Sequence, residues 1–285
     1  MRPSFQMLGG CRYGRRLRTV SLTAILLTSA VAAMADDTNA ADAFTDSPIS
    51  TDRPTASASP GLVPRRTLQF EAGYTFSRLE ANGERSDSQQ APNLLTRYGI
   101  NERVEARLYV TGWTFERASS GSEDGFNNVI LGAKIALAEE RGGRPQMGLL
   151  VGVSLPAGSG EFTSDYAIPE VLFLAAHSLT RRIGLTYNLG PTFVRSKDDN
   201  GTRTDVNLNY AVALSGATGG PISLFGEFYG AFILEGDRLD RHSFQTGATV
   251  LLTQNFQIDF RLGAGLVDNE PDWLVGAGLA FRLPI

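Results

Sequence analysis

Thr67-Leu68-Gln69-Phe70-Glu71-Ala72-Gly73-Tyr74-Thr75-Phe76-Ser77-Arg78-Leu79 alternates, residue by residue, between two kinds of side chain. Leu68, Phe70, Ala72, Tyr74 and Phe76 fall on one face; Thr67, Gln69, Glu71, Gly73, Thr75 and Ser77 fall on the other. A helix would scatter both sets around its circumference, whereas a strand points successive side chains to opposite sides. The stretch therefore reads as a strand with one apolar and one polar face.

The pattern recurs to the end of the chain. Val104, Ala106, Leu108 and Val110 oppose Glu105, Arg107, Tyr109 and Thr111. Similar alternation runs through Gln146–Leu155, Ile183–Gly190, Asp205–Leu214, Phe256–Leu266 and Trp273–Leu283, and more weakly through Asn93–Ile100, Phe126–Leu137, Ala167–Ser178, Ile222–Ile233 and Ser243–Leu252. In Ala167–Ser178 both faces are apolar apart from Glu170 and His177. The segments run to about ten residues, the length a tilted strand needs to cross a bilayer, against five or six in ordinary soluble strands. Short connections (Asn101–Arg103, Glu139–Pro145, Leu179–Arg182, Gly216–Gly220, Thr253–Asn255) alternate with longer polar ones (Glu80–Pro92, Glu116–Gly125, Ala157–Asp165, Arg195–Thr202, Leu234–Arg241). Tight periplasmic turns and extended outer loops produce that alternation. Phe70, Phe76, Phe193, Phe232, Phe244, Phe256, Trp273 and Phe281 fall near strand ends on the apolar face, where interfacial girdles form. The expected fold is all-β: a transmembrane antiparallel up-and-down β-barrel of about twelve strands, residues 67–285, with both termini periplasmic.

Residues 1–35 read as a cleaved signal peptide. Arg12, Arg15, Arg16 and Arg18 precede the apolar Val20–Val31, which is too short to span a bilayer, and Ala33-Met34-Ala35 supplies the small-x-small cleavage pattern. Leu8-Gly9-Gly10-Cys11 resembles a lipoprotein box but lies before the apolar stretch instead of after it. Cleavage removes Cys11, the only cysteine, so neither disulfides nor thiolate metal sites are expected. It also removes five of the 26 basic residues (Arg2 with the four above), leaving 21 against 30 acidic ones and a net charge of −9. That balance argues against a nucleic-acid partner, whose phosphates demand a surplus of Lys and Arg.

Catalytic and cofactor signals are weak. His177 and His242 each have a serine next to them in sequence, and adjacent strand residues face opposite ways. No G-x-S-x-G elbow lies near either histidine, so an outer-membrane lipase is disfavoured and no enzyme is expected. Asp198-Asp199-Asn200-Gly201 lacks the remaining ligands of a calcium loop and reads as a solvated turn. No cofactor, phosphate loop or metal site is expected.

Ile49-Ser50-Thr51-Asp52-Arg53-Pro54, then Leu68–Tyr74, Leu95-Thr96-Arg97-Tyr98-Gly99-Ile100, Glu105-Ala106-Arg107, Leu131-Gly132-Ala133-Lys134, Gly226-Glu227-Phe228 and Asp259–Gly263 resemble the phenol-degradation meta-pathway (MetA-pathway) family of outer-membrane "transporters". The resemblance runs from about Ile49 to the C-terminus. It implies a Gram-negative outer-membrane barrel passing small aromatic or other hydrophobic compounds. The ending Phe281-Arg282-Leu283-Pro284-Ile285 departs from the terminal aromatic that barrels commonly use as an assembly signal; insertion by the barrel-assembly machinery is still expected.

With the apolar face against lipid, the opposite face lines the lumen. The lumen candidates are Glu71, Arg97, Glu105, Arg107, Lys134, Glu170, Asp205, Glu227, Asp259, Arg261 and Arg282. Their mixed signs fit ion pairs across the interior as readily as a charged path. Twelve strands lie between a side-chain-filled barrel and an open porin. The lead-in at residues 36–66, rich in Ala, Ser, Thr, Asp and Pro, reads as extended or disordered. Asp52 and Arg53 mark it as a candidate plug at the periplasmic mouth, with a solvated linker as the alternative. The expected partners are outer-membrane lipid and a small-molecule solute. The expected role is a passive channel. Two readings stand beside it: a non-conducting structural or surface-recognition barrel, and a soluble periplasmic β-protein. Oligomeric state cannot be read from the sequence.

Overall fold

The computed structural model describes residues 47–81, 83–198, 201–234 and 239–285. The signal-peptide reading and Asp199-Asn200 lie outside them. Among the described residues no helix is long and apolar enough to cross a membrane.

The chain is almost wholly strand: β1 (Thr67–Ala81), β2 (Glu84–Asn101), β3 (Val104–Val110), β4 (Trp113–Ala118), β5 (Gly121–Phe126), β6 (Val129–Ala138), β7 (Gln146–Leu155), β8 (Ile168–Ser178), β9 (Ile183–Asp198), β10 (Gly201–Ala217), β11 (Ile222–Ile233), β12 (Arg241–Thr253), β13 (Phe256–Gly265) and β14 (Trp273–Pro284). All pairings are antiparallel, and β1 bonds both β2 and β14, so the sheet closes. β2 pairs with β3 over its C-terminal half and with β4 over its N-terminal half, while β4 pairs β5 and β3 pairs β6. Thus β3/β4 and β5/β6 are two spanning strands, each bent once, and the barrel has twelve staves. The bend occurs where Gly112 takes a positive φ of 83° beside Pro92, and the Asn127 side-chain amide caps the Gly112 carbonyl at 2.8 Å. A left-handed backbone with Pro92 against it leaves room only for glycine.

The burial pattern is that of a soluble protein turned inside out. Gln69, Glu71, Glu105, Lys134, Asp205, Glu227, Gln245 and Asp259 are buried, while Leu214, Phe228, Phe260 and Leu262 are more than half exposed. That inversion excludes a soluble β-protein, because water would then contact the whole Leu/Val/Phe face. Two belts of aromatics edge the apolar band. Phe70 stacks on Phe281 at 5.2 Å near one end; Phe76–Trp273 (5.2 Å) and Tyr210–Phe232 (5.4 Å) sit towards the other.

The long connections differ from their sequence reading. Much of Glu80–Pro92, Glu116–Gly125 and Arg195–Thr202 is not loop but continued hairpin, with β1–β2 paired as far as Ala81↔Glu84 and β9–β10 as far as Asp198↔Gly201. Above the apolar band both faces meet water, so the hydrophobic alternation fades while backbone pairing goes on. Cross-strand pairs such as Arg78–Asp87 at 2.7 Å take over the side-chain role. Ala157–Asp165 is a true loop with a single 3-10 turn, Gly160–Phe162.

The described part of the lead-in, residues 47–66, is folded inside the barrel. It enters at the short-turn end, where the Arg282 guanidinium donates to the Ser47 carbonyl and Ile49 N–H donates to Gln254 O at 2.7 Å. It rises to mid-lumen and returns to the same rim, where Arg66 N–H meets Gly99 O at 2.9 Å and β1 begins. The C-terminus closes there too, with Ile285 N–H on Arg66 O at 2.9 Å.

Candidate functional site

Two groups of contacts hold the middle of the plug segment to the lumen face of the wall. At the first, Asp52 projects into a cationic group. Its carboxylate takes hydrogen bonds from Arg107 Nη1 at 2.6 Å and Lys134 Nζ at 3.0 Å, with Arg97 Nη1 at 3.8 Å. Arg97 in turn pairs with Glu105 at 2.8 Å and Glu71 at 3.0 Å, and Glu71 accepts the backbone N–H of Asp52 and Arg53 at 3.0 and 2.9 Å. Three carboxylates (Asp52, Glu71, Glu105) thus face three cations (Arg97, Arg107, Lys134) in one buried network. Burial opposes ionisation of Asp52, but the Arg97, Lys134 and Arg107 charges outweigh it and hold the carboxyl well below the usual carboxylate range.

Next to Asp52, Arg53 turns the other way and bonds Asp259 at 3.2 Å. It passes between Gly73 and Gly278, where a Cβ on either would strike its side chain. Those two glycines are the space the guanidinium needs.

At the second place the plug offers only backbone. Ala56 and Ser57 donate their N–H groups to the two carboxylate oxygens of Glu227, both at 2.7 Å, and Gln245 Nε2 supports Glu227 at 2.5 Å. Ala58 exchanges both of its backbone groups with the Asn188 amide, at 2.7 and 2.9 Å. The Ala58 methyl packs on Leu150 and Leu174. This explains the apolar inward face of β8: it receives the plug.

The sequence-chosen lumen residues therefore divide. Glu71, Arg97, Glu105, Arg107 and Lys134 gather round Asp52; Asp259 meets Arg53; Glu227 meets the plug backbone. Their ion pairs run between adjacent strands and to the plug, not across an open lumen. Asp205 pairs with Arg203 at 2.9 Å on its own strand, and Arg282 bonds Asn255 at 2.7 Å on the rim. Glu170 and Arg261 line a cavity and form no salt bridge among the described residues. Asn188, Gln245 and Gln257, which bonds Thr51 at 2.8 Å, were not singled out by charge. Their signal was position alone, polar amides on inward-facing sites.

Two cavities border the plug among the described residues. The larger, about 390 Å³, lies towards the long connections and is lined by Arg53–Ala58, Tyr109, Ile130, Leu172, Glu170 and Arg261 among others. The smaller, about 290 Å³, lies towards the short turns, against Thr186, Ser215, Phe225, Thr249 and Gln257. Arg53, Pro54, Thr55 and Ser57 border both.

Neither histidine shows a nucleophile arrangement. His177 stacks near Tyr187 at 6.1 Å, and His242 Nδ1 bonds the Tyr210 hydroxyl at 3.0 Å. Their adjacent serines bond Glu140 (2.7 Å) and Glu270 (3.0 Å). Among the described residues no group of three His, Cys, Asp or Glu side chains is arranged to hold a metal ion.

Closed wall, lipid-facing apolar band and polar core define an outer-membrane β-barrel. Within that class, the chain belongs to the family described as "Putative MetA-pathway of phenol degradation", whose model matches residues 51–283. The match starts at Thr51, so it includes the plug as well as the wall. Among solved structures, the chain is similar to the NanC porin (TM-score 0.51, 9% identity, covering 76% of this chain and 100% of that one). It is also similar to the translocator domain of the autotransporter NalP from Neisseria meningitidis (TM-score 0.50, 13% identity, covering 86% and 92%). At these identities the likeness is one of fold. No curated protein matches the chain.

Proposed function

We propose that this protein is a passive outer-membrane channel for small molecules, including hydrophobic or aromatic compounds, kept closed at rest by its own N-terminal plug. The observation that carries the reading is the position of the plug segment Arg53–Ser57, which borders one cavity towards the long connections and another towards the short turns. A channel follows if that short segment moves; the wall need not. The plug is held by polar and ionic contacts, which exchange for water more readily than a packed apolar core does. In this reading the chain is exported by a cleaved leader at 1–35 and inserted by the barrel-assembly machinery. The short turns and both termini face the periplasm, and the barrel performs no chemistry of its own.

A second reading draws on the same plug. The number of contacts holding it fits a permanently filled barrel with a structural or surface-recognition role. Planar-bilayer conductance of the refolded mature protein separates the two, after heat-modifiable gel mobility confirms a folded barrel. Discrete current steps that become more frequent when residues 36–66 are deleted support the channel. A deletion barrel that folds and stays silent overturns it.

A further inference from the structure

The larger cavity holds two ionisable side chains that form no salt bridge among the described residues. Arg261, on β13, bonds the Thr75 hydroxyl at 2.8 Å and reaches Pro54 O and Gln245 Oε1 only at 3.4 Å. Its Nε is buried with no acceptor. Glu170, on β8, lies across from Gly152 of β7, where a side chain would strike its carboxylate, and it bonds no cation among the described residues. Every other charge lining this cavity is satisfied: Asp52 by Arg107, Arg53 by Asp259, Glu71 by Arg97. Four staves lie between β8 and β13 one way round the ring of twelve and six the other way, so the cation and the anion stand near opposite walls. Ile130, Leu150 and Leu172 form an apolar strip beside Glu170.

We infer that this cavity is a binding site for a small amphipathic organic anion: a carboxylate seated on Arg261, an apolar body against Ile130, Leu150 and Leu172, and a hydrogen-bond donor at the far end facing Glu170. Arg261 Nη1, held only at 3.4 Å to Pro54 O and Gln245 Oε1, supplies the donor that an oxyanion takes, and a charge-assisted bond of that kind is among the stronger ones available in a low-dielectric site. Glu170 sets the other end. It accepts from an ammonium or hydroxyl and repels a second carboxylate. A volume of about 390 Å³ falls within the range of small-ligand pockets. The site lies directly over the plug residues Arg53–Ala58, so a ligand held here sits at the barrier it would have to pass. The inference deepens the channel reading and rests on it for its purpose, though not for its binding chemistry.

The test is calorimetric titration of the refolded mature protein in detergent with three six-carbon probes: hexanoate, 6-aminohexanoate and adipate. The expected order of affinity is 6-aminohexanoate, then hexanoate, then adipate. Arg261→Gln should weaken the first two by about tenfold or more, the scale of one lost charged hydrogen bond. Arg261→Lys, which keeps the charge and loses the planar guanidinium fork, should fall between. Glu170→Gln should leave hexanoate unchanged, remove the advantage of 6-aminohexanoate and bring adipate up to hexanoate. Equal affinity of the three probes, insensitivity to both positions, or no binding by a barrel of normal heat-modifiable mobility overturns the site. Calorimetry needs no conduction, so a protein that binds these probes yet stays silent in bilayers sinks the channel and keeps the site. A conducting barrel that binds none of them does the reverse.

Discussion

The two latches of the plug hold neighbouring residues by opposite means. At Asp52 a side chain of the plug reaches out to three cations of the wall; at Ala56–Ala58 side chains of the wall reach in to the backbone of the plug. In the first, removing one plug atom group unbalances a buried network of six charges. In the second, no plug side chain takes part except the Ala58 methyl, and the hydrogen-bonding atoms are ones every residue carries. Charge fixes the position of the first latch, and geometry alone fixes the second.

Asp52→Ala breaks the first latch and should have the greatest consequence. It leaves Arg107 and Lys134 short of a counter-charge, and uncompensating a buried pair costs about 3–5 kcal/mol. Much of that is relieved if the plug withdraws and water enters, so the variant should conduct more than the parent. Planar-bilayer current through the refolded variant measures this. A folded Asp52→Ala barrel with unchanged current would show that the second latch suffices to close the lumen.

Glu227→Gln attacks the second latch. A neutral amide can accept only one of the two N–H groups, and it loses the charge that strengthened both bonds, at about 1–3 kcal/mol. Amide hydrogen exchange at Ala56 and Ser57 should quicken about tenfold to a hundredfold while the Asp52 end stays protected. Conductance should change little. Equal loss of protection at Asp52 would mean that the two latches are one cooperative unit.

This contrast also sets what could be read beforehand. The wall was legible because lipid on one side and a polar lumen on the other impose a period of two on every stave, from Leu68/Gln69 to Phe281/Arg282. Asp52 and Arg53 were legible as charges within a bland lead-in. Ala56-Ser57-Ala58 was not, because a backbone that donates to Glu227 leaves no mark on its own sequence. The mark was on the wall, in Glu227 and Asn188, but which inward residue meets which partner depends on register that periodicity does not set. The hairpins above the membrane leave no period-two mark for a related reason. Once water lies on both faces, as around Arg85–Gln90, strand pairing no longer requires alternating hydrophobicity.

Asn188→Ala is a narrower cut. It removes a two-bond clasp on Ala58 without touching any charge, worth about 1–2 kcal/mol locally. Faster exchange should be confined to Ala58, with the melting of the barrel and its conductance at parental values. Spread of the effect to Ser57 would place Asn188 and Glu227 in one unit.

Acid should move the first latch least of all. Asp52 has its pKa depressed in the folded barrel, so its ionised form contributes stability that is complete above the unfolded carboxyl value, about 3.9, and is lost only as pH falls through the depressed folded value. Between pH 7 and pH 4 the plug should therefore stay latched and the current stay low. An ordinary lumen carboxylate would already be half protonated at the lower limit. A parent barrel that opens between pH 5 and pH 4, with Asp52→Asn already open at pH 7, would keep Asp52 as the latch but show that the surrounding cations hold it far less firmly than their distances imply. Opening in that interval with Asp52→Asn still closed at pH 7 would move the latch elsewhere. Because three cations stand within 4 Å of one buried carboxylate, the expectation is a flat line across this range, and its flatness measures how strongly the wall grips the plug.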